Sequence, residues 1–392
     1  MKLSTVVKLC FLMIGSSLCA QNIVVDSITK IPVESVHISY NVQNGLITNS
    51  DGYFELPEDA KVDQITLSHI AYISKTITAE NFKNRDTIYI ASNAINLDKV
   101  LLELFAVKDT LSKAIDRIDT NYLNVPHNSY GFFRQSMQQD GKGIEMIEVD
   151  FVSYLENRAS SYATNIVNAE RTKNYSDIRF STVGGVYAII EKGDFVKRKR
   201  YFLDKKEMDS YEFEYDGTLN NNGTTIYKIA FKPKDKNDLR HLRIGEMYLD
   251  AKSLAIMEIS YEMDQEKLAK INGLSDPKLR RSRPVFFTQS VRSIIKYQKF
   301  HDDRWALSSI EVRNSKEGAL KKKSYIYSLI GKLIVNKIET EDVKKVKTNF
   351  KTDKDFSKAI RRIDNVNDWT DTYKFPLSSD EKQVLEEIKN QK

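Results

Sequence analysis

Cysteine is nearly absent: Cys10 and Cys19 are the only two, and both fall within the first twenty residues. A chain trimmed behind them has no thiol for a disulfide, a thiolate nucleophile or a Cys-based zinc site. Histidine is scarce as well. None of His37, His69, His127, His241 and His301 begins a His-x-x-Glu or belongs to a His-Glu-x-x-His pair, so the zinc-hydrolase helix is missing. No Gly-x-Ser-x-Gly elbow occurs, and Gly184-Gly185 reads as a turn, without the Lys-Ser or Lys-Thr that completes a phosphate loop. Long apolar runs are lacking too. Past the N-terminus the best of them, such as residues 328–335, have strand length and fall short of the roughly 20 residues a membrane helix needs. No catalytic signature is left, and neither a metal nor a cofactor is expected.

The N-terminus has a pattern of its own. Lys2 and Lys8 precede an apolar run at 9–14, followed by Gly15, Ser16, Ser17 and Ala20, the layout of a secretory signal peptide over residues 1–20 with cleavage after Ala20. Leu18 stands where a lipoprotein signal has a small residue before its cysteine, so lipid attachment at Cys19 is the minor reading. The expected location is outside the cytoplasm, in the periplasm or at the outer-membrane periphery. The formal charge of +6 counts Lys2 and Lys8, and removing them leaves +4, a mildly basic chain. With 29% charged and 10% aromatic residues this is ordinary globular composition, and 392 residues suggest two domains.

Turn and strand chemistry alternate most plainly in the run Gly-Leu-Ile-Thr-Asn-Ser-Asp-Gly-Tyr-Phe-Glu-Leu-Pro at 45–57. Asn44-Gly45 and Asp51-Gly52 accept the positive φ of tight turns, and Leu46, Ile47, Tyr53, Phe54 and Leu56 are strand formers. Strands are expected at 23–25, 36–40, 46–48, 53–56, 64–69, 74–77 and 87–90. Seven in so short a stretch leave no room for helices and predict a β-sandwich over 21–95. The residues Val24-Val25-Asp26, Thr29, Ile31-Pro32, Val36, Gly45, Thr48-Asn49, Asp51-Gly52-Tyr53-Phe54, Asp63, Ile65, Ser68, Ile70 and Tyr72 resemble the carboxypeptidase regulatory-like domain, a transthyretin-like sandwich. Two positions depart from that pattern: no glycine precedes Val24, and Ala71-Tyr72 stands where Gly-Tyr is common. The resemblance implies one of three settings: behind a metallopeptidase, alone in a secreted protein of diderm bacteria, or ahead of a TonB-dependent receptor barrel. The histidine pattern argues against the first, and the about 290 residues past Ala94 cannot hold a plug and a large barrel. The stand-alone secreted form is the expectation.

From 107 to 122, Val107, Leu111, Ala114, Ile115, Ile118 and Tyr122 recur at helical spacing, so 96–125 reads as a linker and an amphipathic helix. The octet Ser-Lys-Ala-Ile-Asp-Arg-Ile-Asp at 112–119 returns almost unchanged at 357–364 without matching flanks, which indicates two similar helices rather than a duplication. Between them strands are expected at 131–137, 144–155, 186–191, 211–215, 225–231, 244–249, 254–262, 286–300, 305–312 and 324–335. Asp140-Gly141, Asn222-Gly223, 250–253 and 301–304 join them as hairpins. Residues 126–340 thus predict a large antiparallel meander sheet of eight to ten strands, and 341–392 a basic, helical tail. Tyr227, Ile229 and Phe231 point one way and Lys228 and Lys232 the other, with Ala255, Met257, Ile259 and Tyr261 repeating the pattern. Leaving such an apolar face in water costs about 25 cal/mol per Å², so the sheet must curl, close or be covered. The fold class is mainly β: a sandwich, then a curved sheet with flanking helices.

The hairpin Gly245-Glu246-Met247-Tyr248-Leu249-Asp250, turn, Leu254-Ala255-Ile256-Met257-Glu258-Ile259 resembles a repeated unit of periplasmic lipoprotein-carrier half-barrels. Tyr130-Gly131-Phe132-Phe133-Arg134 and the tail 369–377 resemble the region that accompanies the regulatory-like domain in secreted proteins of unknown activity. The carrier resemblance implies a curved apolar face that holds acyl chains. The candidate ligand row is Tyr227, Ile229, Phe231, Met247, Leu249, Met257, Ile259 and Tyr261, although a filled core explains it equally well. Basic runs at 197–200, 280–283, 321–323 and 344–351 read as solvated loops and strand edges, or as a surface for phosphate-bearing lipid or glycan. His301, Asp302 and Asp303 favour a turn, and Trp305 and Trp369 read as core or rim aromatics. The functional expectation is an exported, non-enzymatic envelope protein that binds a protein, lipid or glycan partner, is soluble or peripherally attached to the membrane and does not bind nucleic acid. An envelope hydrolase with a dispersed Ser-His-Asp triad, or a purely structural protein, are the alternatives.

Overall fold

The computed structural model describes residues 22–40, 45–56, 62–83, 86–93, 107–177, 182, 184–273, 284–300, 303–363, 366–368 and 375–391. The signal segment, the linker up to 106, the basic run 280–283, His301, Asp302 and Trp369 lie outside the described residues.

The first seven strands are β1 (Asn22–Asp26), β2 (His37–Ser39), β3 (Gly45–Ile47), β4 (Tyr53–Phe54), β5 (Gln64–His69), β6 (Tyr72–Thr78) and β7 (Thr87–Ile90). They form two sheets, ordered β4-β1-β7 and β3-β2-β5-β6, with β1 and β7 parallel. Val24, Val36, Ile38, Phe54, Ile65, Leu67 and Ile88 are buried between them. The Asn49 side chain accepts the backbone N–H groups of Asp51 and Tyr53, closing the turn locally. Gly52 has φ +76°, and a Cβ there would lie 2.6 Å from the Val24 carbonyl, so glycine is required. The expectation of no helix fails at Ala79–Lys83, a single helical turn that delivers Phe82 into the sandwich core.

The large sheet contains β8 (His127–Gln139), β9 (Lys142–Leu155), β10 (Ala163–Arg171), β11 (Tyr211–Asn221), β12 (Thr224–Pro233), β13 (Arg243–Asp250), β14 (Ile256–Met263), β15 (Val285–Lys299), β16 (Trp305–Leu320), β17 (Lys323–Glu339) and β18 (Val366–Asp368). Its order is β11-β12-β13-β14-β15-β16-β17-β8-β9-β10-β18. Ten strands run antiparallel, β18 adds parallel to β10, and the sheet stays open. Two meanders are joined side by side, because β8 pairs with β17. Asp140-Gly141 and Asn222-Gly223 both take positive φ at their two positions, as two-residue hairpins require.

Register makes the two faces unlike. Tyr215, Ile229, Met247, Ile259, Ile295, Ile310, Leu333, Phe133, Val149 and Ala169 pair in succession, one apolar row across all ten antiparallel strands. One residue along, Glu214, Ala230, Glu246, Ser260, Ile294, Glu311, Lys332, Arg134, Glu148 and Glu170 form a mostly polar row on the opposite face. Helices cover the apolar face. The stretch 186–191, expected as a strand from its β-branched residues, lies in the helix Gly185–Gly193, where Val186 and Ile190, four apart, are both buried. The 107–122 helix is broken at Arg117 into Val107–Asp116 and Ile118–Asn121. The repeated octet buries equivalent residues at both copies, Ala114 and Ile115 in one and Ala359 and Ile360 in the other, in the same core.

On the polar face, Arg134 is 1% exposed and pairs with Glu148 and Glu381. It also donates to the carbonyls of Phe375 and Pro376, and the Phe132 and Phe375 rings lie 6.2 Å apart beside it. The motif at 130–134 therefore meets residues 375–377, the described end of the second motif. Glu381 completes a capping box with Ser378 at the start of the helix Ser379–Lys389, whose Val384, Leu385 and Ile388 pack on Met146 of β9. The sandwich joins at the same place: Asp51 accepts the Ser379 N–H at 2.6 Å, Asn49 donates to the Pro376 carbonyl, and Ile47 packs with Phe132, Ile334 and Phe375. Arg134→Ala leaves Glu148 buried without its counter-charge and Glu381 with only Lys332, 3.8 Å away, and is expected to cost about 3–5 kcal/mol in denaturant unfolding. Removing the exposed Lys345–Glu156 pair is expected to leave the same curve in place.

Candidate functional site

The inner face of β12–β14 presents a strip of Ile229, Phe231, Met247, Leu249, Ile259 and Tyr261, all buried. Six of the eight residues of the expected row are thus together. Tyr227 is half-buried at the margin, where its ring meets that of Tyr215 at 6.1 Å. Met257 departs from the expectation. A bulge after Tyr248 pairs Leu249 with Ile256, so Ile256 takes the inward place and Met257 borders a different cavity, against the sandwich.

Residues 185–210 cover the strip in four short pieces: Gly185–Gly193, Phe195–Arg198, Tyr201–Leu203 and Met208–Ser210. Phe202 lies 4.0 Å from Phe231 and Phe195 stacks on Tyr261 at 5.3 Å. The pieces are hinged by unusual backbone: Gly184 and Gly185 both have positive φ, as do the non-glycine residues Lys199 and Tyr201. A Cβ on Gly185 would sit 2.1 Å from the Phe356 ring, so this entry point tolerates no side chain.

A polar seam runs under the cover. The buried Asp194 carboxylate accepts the Tyr162 and Tyr297 hydroxyls at 3.0 Å and the Lys197 N–H at 3.1 Å. Burial raises its pKa in spite of those bonds. Lys197 donates to the Ser160 carbonyl at 2.6 Å, lies 3.7 Å from Glu191, and is pushed down to about 8 by burial. The basic run 197–200 is therefore not a solvated loop: Lys197 is buried and Arg198 pairs with Glu191. The runs at 321–323 and 344–351 do expose their lysines.

A cavity of about 30 Å³ beside this seam is lined by Ser129, His127 and Asp194 among others. They do not form a relay. Nδ1 of His127 lies 2.8 Å from the Val125 carbonyl, and Asp194 is engaged by the two tyrosines. The space admits about two waters, not a scissile group with its substituents. A second cavity, about 100 Å³, lies between sandwich and sheet and is lined by Ser35, His37, His69, Met257, Glu258 and Lys296. Lys296 donates to the Ser35 carbonyl at 3.0 Å and lies 3.5 Å from Glu258. His37 is half-buried, and its Nε2 is enclosed with no hydrogen-bond partner. A groove of about 590 Å³ opens on the polar face of β11–β13, over Ala230 and between Glu212, Glu214 and Glu246. Among the described residues no group of three or more His, Asp or Glu is placed to hold a metal ion, and no helix is long and apolar enough to cross a membrane.

No family model and no curated protein matches the sequence. Among solved structures, a domain assigned to outer membrane lipoprotein sorting from Vibrio parahaemolyticus is 9% identical, with 60% of this chain and 92% of that chain covered at a TM-score of 0.26. A LolA superfamily protein from Nitrosomonas europaea is 8% identical, with 60% and 97% covered and a TM-score of 0.26. A DUF1329 family protein from Desulfovibrio piger is 12% identical, with 61% and 93% covered and a TM-score of 0.24. A likeness at this level carries no functional argument.

Burial, and then the charge of Lys296, hold His37 down to about 4 from its ordinary 6.5, and His69 is lowered by the same two causes. A chain with the sandwich released binds more protons below 6.5, so docking is complete above that value and weakens as pH falls toward 4. Thermal melting followed across that interval is expected to show a falling Tm, and His37→Leu a flatter profile.

Proposed function

We propose that the chain is a non-catalytic binding protein of the cell envelope that takes an acyl chain onto the strip of Ile229, Phe231, Met247, Leu249, Ile259 and Tyr261. The observation that carries this reading is the cover. A regular helix would seal the strip permanently. Here it is sealed by four short fragments joined through left-handed residues, with two phenylalanines supplying much of the contact. Exposing two phenylalanine side chains costs roughly 3–6 kcal/mol in all, whereas burying about ten methylenes of an acyl chain returns roughly 8. Exchange of one apolar occupant for the other is thus affordable in free energy.

The rest of the reading follows the sequence. The segment 1–20 directs export, and the sandwich is of the carboxypeptidase regulatory-like kind, its seven strands in two sheets fixed to the sheet through Asp51 and Asn49. The role is binding because, of Ser129, His127 and Asp194, which share a cavity, His127 and Asp194 are engaged by the Val125 carbonyl and by Tyr162 and Tyr297, and form no relay with Ser129.

Phe202→Ala is expected to cost about 3–5 kcal/mol of stability, since it empties a buried aromatic site. Added oleate is expected to restore much of that loss in a thermal melt, by filling the space it leaves. Absence of saturable oleate binding by both the wild type and Phe202→Ala would remove the reading.

A further inference from the structure

We infer that the ligand on this strip carries an anionic head group, and that Arg243, assisted by the Tyr211 hydroxyl, is the residue that holds it. The inference rests on the acyl-chain reading above and adds the chemistry of the polar end.

Arg243 opens β13, and even spacing places it on the same face as Gly245, Met247 and Leu249. Its guanidinium carbon lies 3.3 Å from the ring centre of Tyr201, 5.4 Å from Tyr261 and 5.7 Å from Phe195. Burial raises the Tyr261 pKa and the charge of Arg243 partly offsets it, while the Nε of Arg243 is enclosed without a partner. Among the described residues no carboxylate lies within ion-pair distance of it. The acids of this corner are engaged elsewhere: Glu207 and Asp238 both bind His241, and Asp238 also pairs with Arg240.

Among the described residues the fully buried lysines and arginines are compensated. Arg134 has Glu148 and Glu381, Lys332 has Glu381, Lys197 has Glu191, and Lys267 donates to three backbone carbonyls. A partly buried guanidinium whose charge faces only aromatic rings has lost water without gaining an anion, which is costly. The Tyr211 hydroxyl, also enclosed and unpaired, belongs to a ring 6.4 Å from Phe231 at the same end of the strip. Two unsatisfied donors at the end of an apolar surface describe an amphiphile with an acidic head. The planar fork of arginine matches a carboxylate or a phosphate equally. In the present form Tyr201 occupies that place by a cation–π contact, and the φ of +55° it adopts there is unfavourable for a side-chain-bearing residue. The covering segment thus imitates both halves of the ligand: Phe195 and Phe202 the chain, Tyr201 the head.

The test titrates the full chain with oleate, oleyl phosphate and oleyl alcohol, which share one chain and differ at the head. One of the two anions is expected to bind about 10- to 100-fold more tightly than the alcohol, and which one identifies a fatty-acid or a phospholipid source. Arg243→Gln is expected to bring the preferred anion down to the affinity of the alcohol for the same variant, and Arg243→Lys to keep part of the preference. If the alcohol binds the wild type as tightly as either anion, the acyl-chain reading stands and the head-group assignment is overturned. A preference that survives Arg243→Gln overturns it as well. If none of the three binds, the acyl-chain reading itself fails. Should Arg243→Gln melt as an unfolded chain, the wild-type ratio of anion to alcohol together with Arg243→Lys decides.

Discussion

A buried guanidinium must find negative charge nearby, and Arg134 finds it in a way that fixes three parts of the chain at once. Glu148 comes from the neighbouring strand, Glu381 from the C-terminal helix, and two carbonyls from the segment that leads into that helix. The two acids respond differently. Burial raises the Glu148 pKa and Arg134 only partly offsets it. Burial also acts to raise Glu381, but Arg134, Lys332 and the bonds from Ser378 together outweigh it and hold this carboxyl low. Glu381 is thus the firmer anchor. Because the helix it caps also receives Asp51 of the sandwich, the N-terminal and C-terminal parts of the chain are held at one point of the sheet.

The sheet separates two kinds of work by a shift of one residue. Its apolar row is continuous from β11 to β10 and makes the core, so that face takes a mainly apolar cover, and the buried polar groups of the cover, such as Asp194, find partners in Tyr162 and Tyr297. Its polar row receives the sandwich and the C-terminal helix, where ion pairs and hydrogen bonds set the geometry. The tip of the β11–β12 hairpin illustrates the second mode. Asn221 exchanges hydrogen bonds with the backbone of Tyr72 and Ser74, and Asn222 donates to the Ser74 carbonyl, so two side chains close the open edge of β6.

Much of this was legible because turn chemistry and alternation are local. Asp140-Gly141, Asn222-Gly223 and the Tyr227-Ile229-Phe231 alternation declare their strands without help from the rest of the chain. What could not be read was set by distant partners. Residues 186–191 have strand propensity and are helical, since the apolar face needs a cover there. β10, polar and broken by a bulge, carries too weak a pattern to announce itself. Met257 is displaced by a bulge that has no sequence signature. Phe195 and Phe202 were masked by the basic run between them, and Arg243 looks like any other basic residue until its rings and missing anion are seen together. The significance of Arg134 lay in a partner almost 250 residues away.

The placing of β8 has a temporal consequence. This early strand sits between β9 and β17, so the two meanders can be sewn together only once residue 339 has been made. Long-range pairing of this kind is slow, because the loop-closure entropy comes before any contact that repays it. Until then the chain is a set of hairpins without a common core, and the lock at Arg134 waits still longer for residue 381. A chain whose central lock waits for residue 381 stays open through most of its synthesis, and its hairpins must keep their apolar faces from pairing wrongly in the meantime.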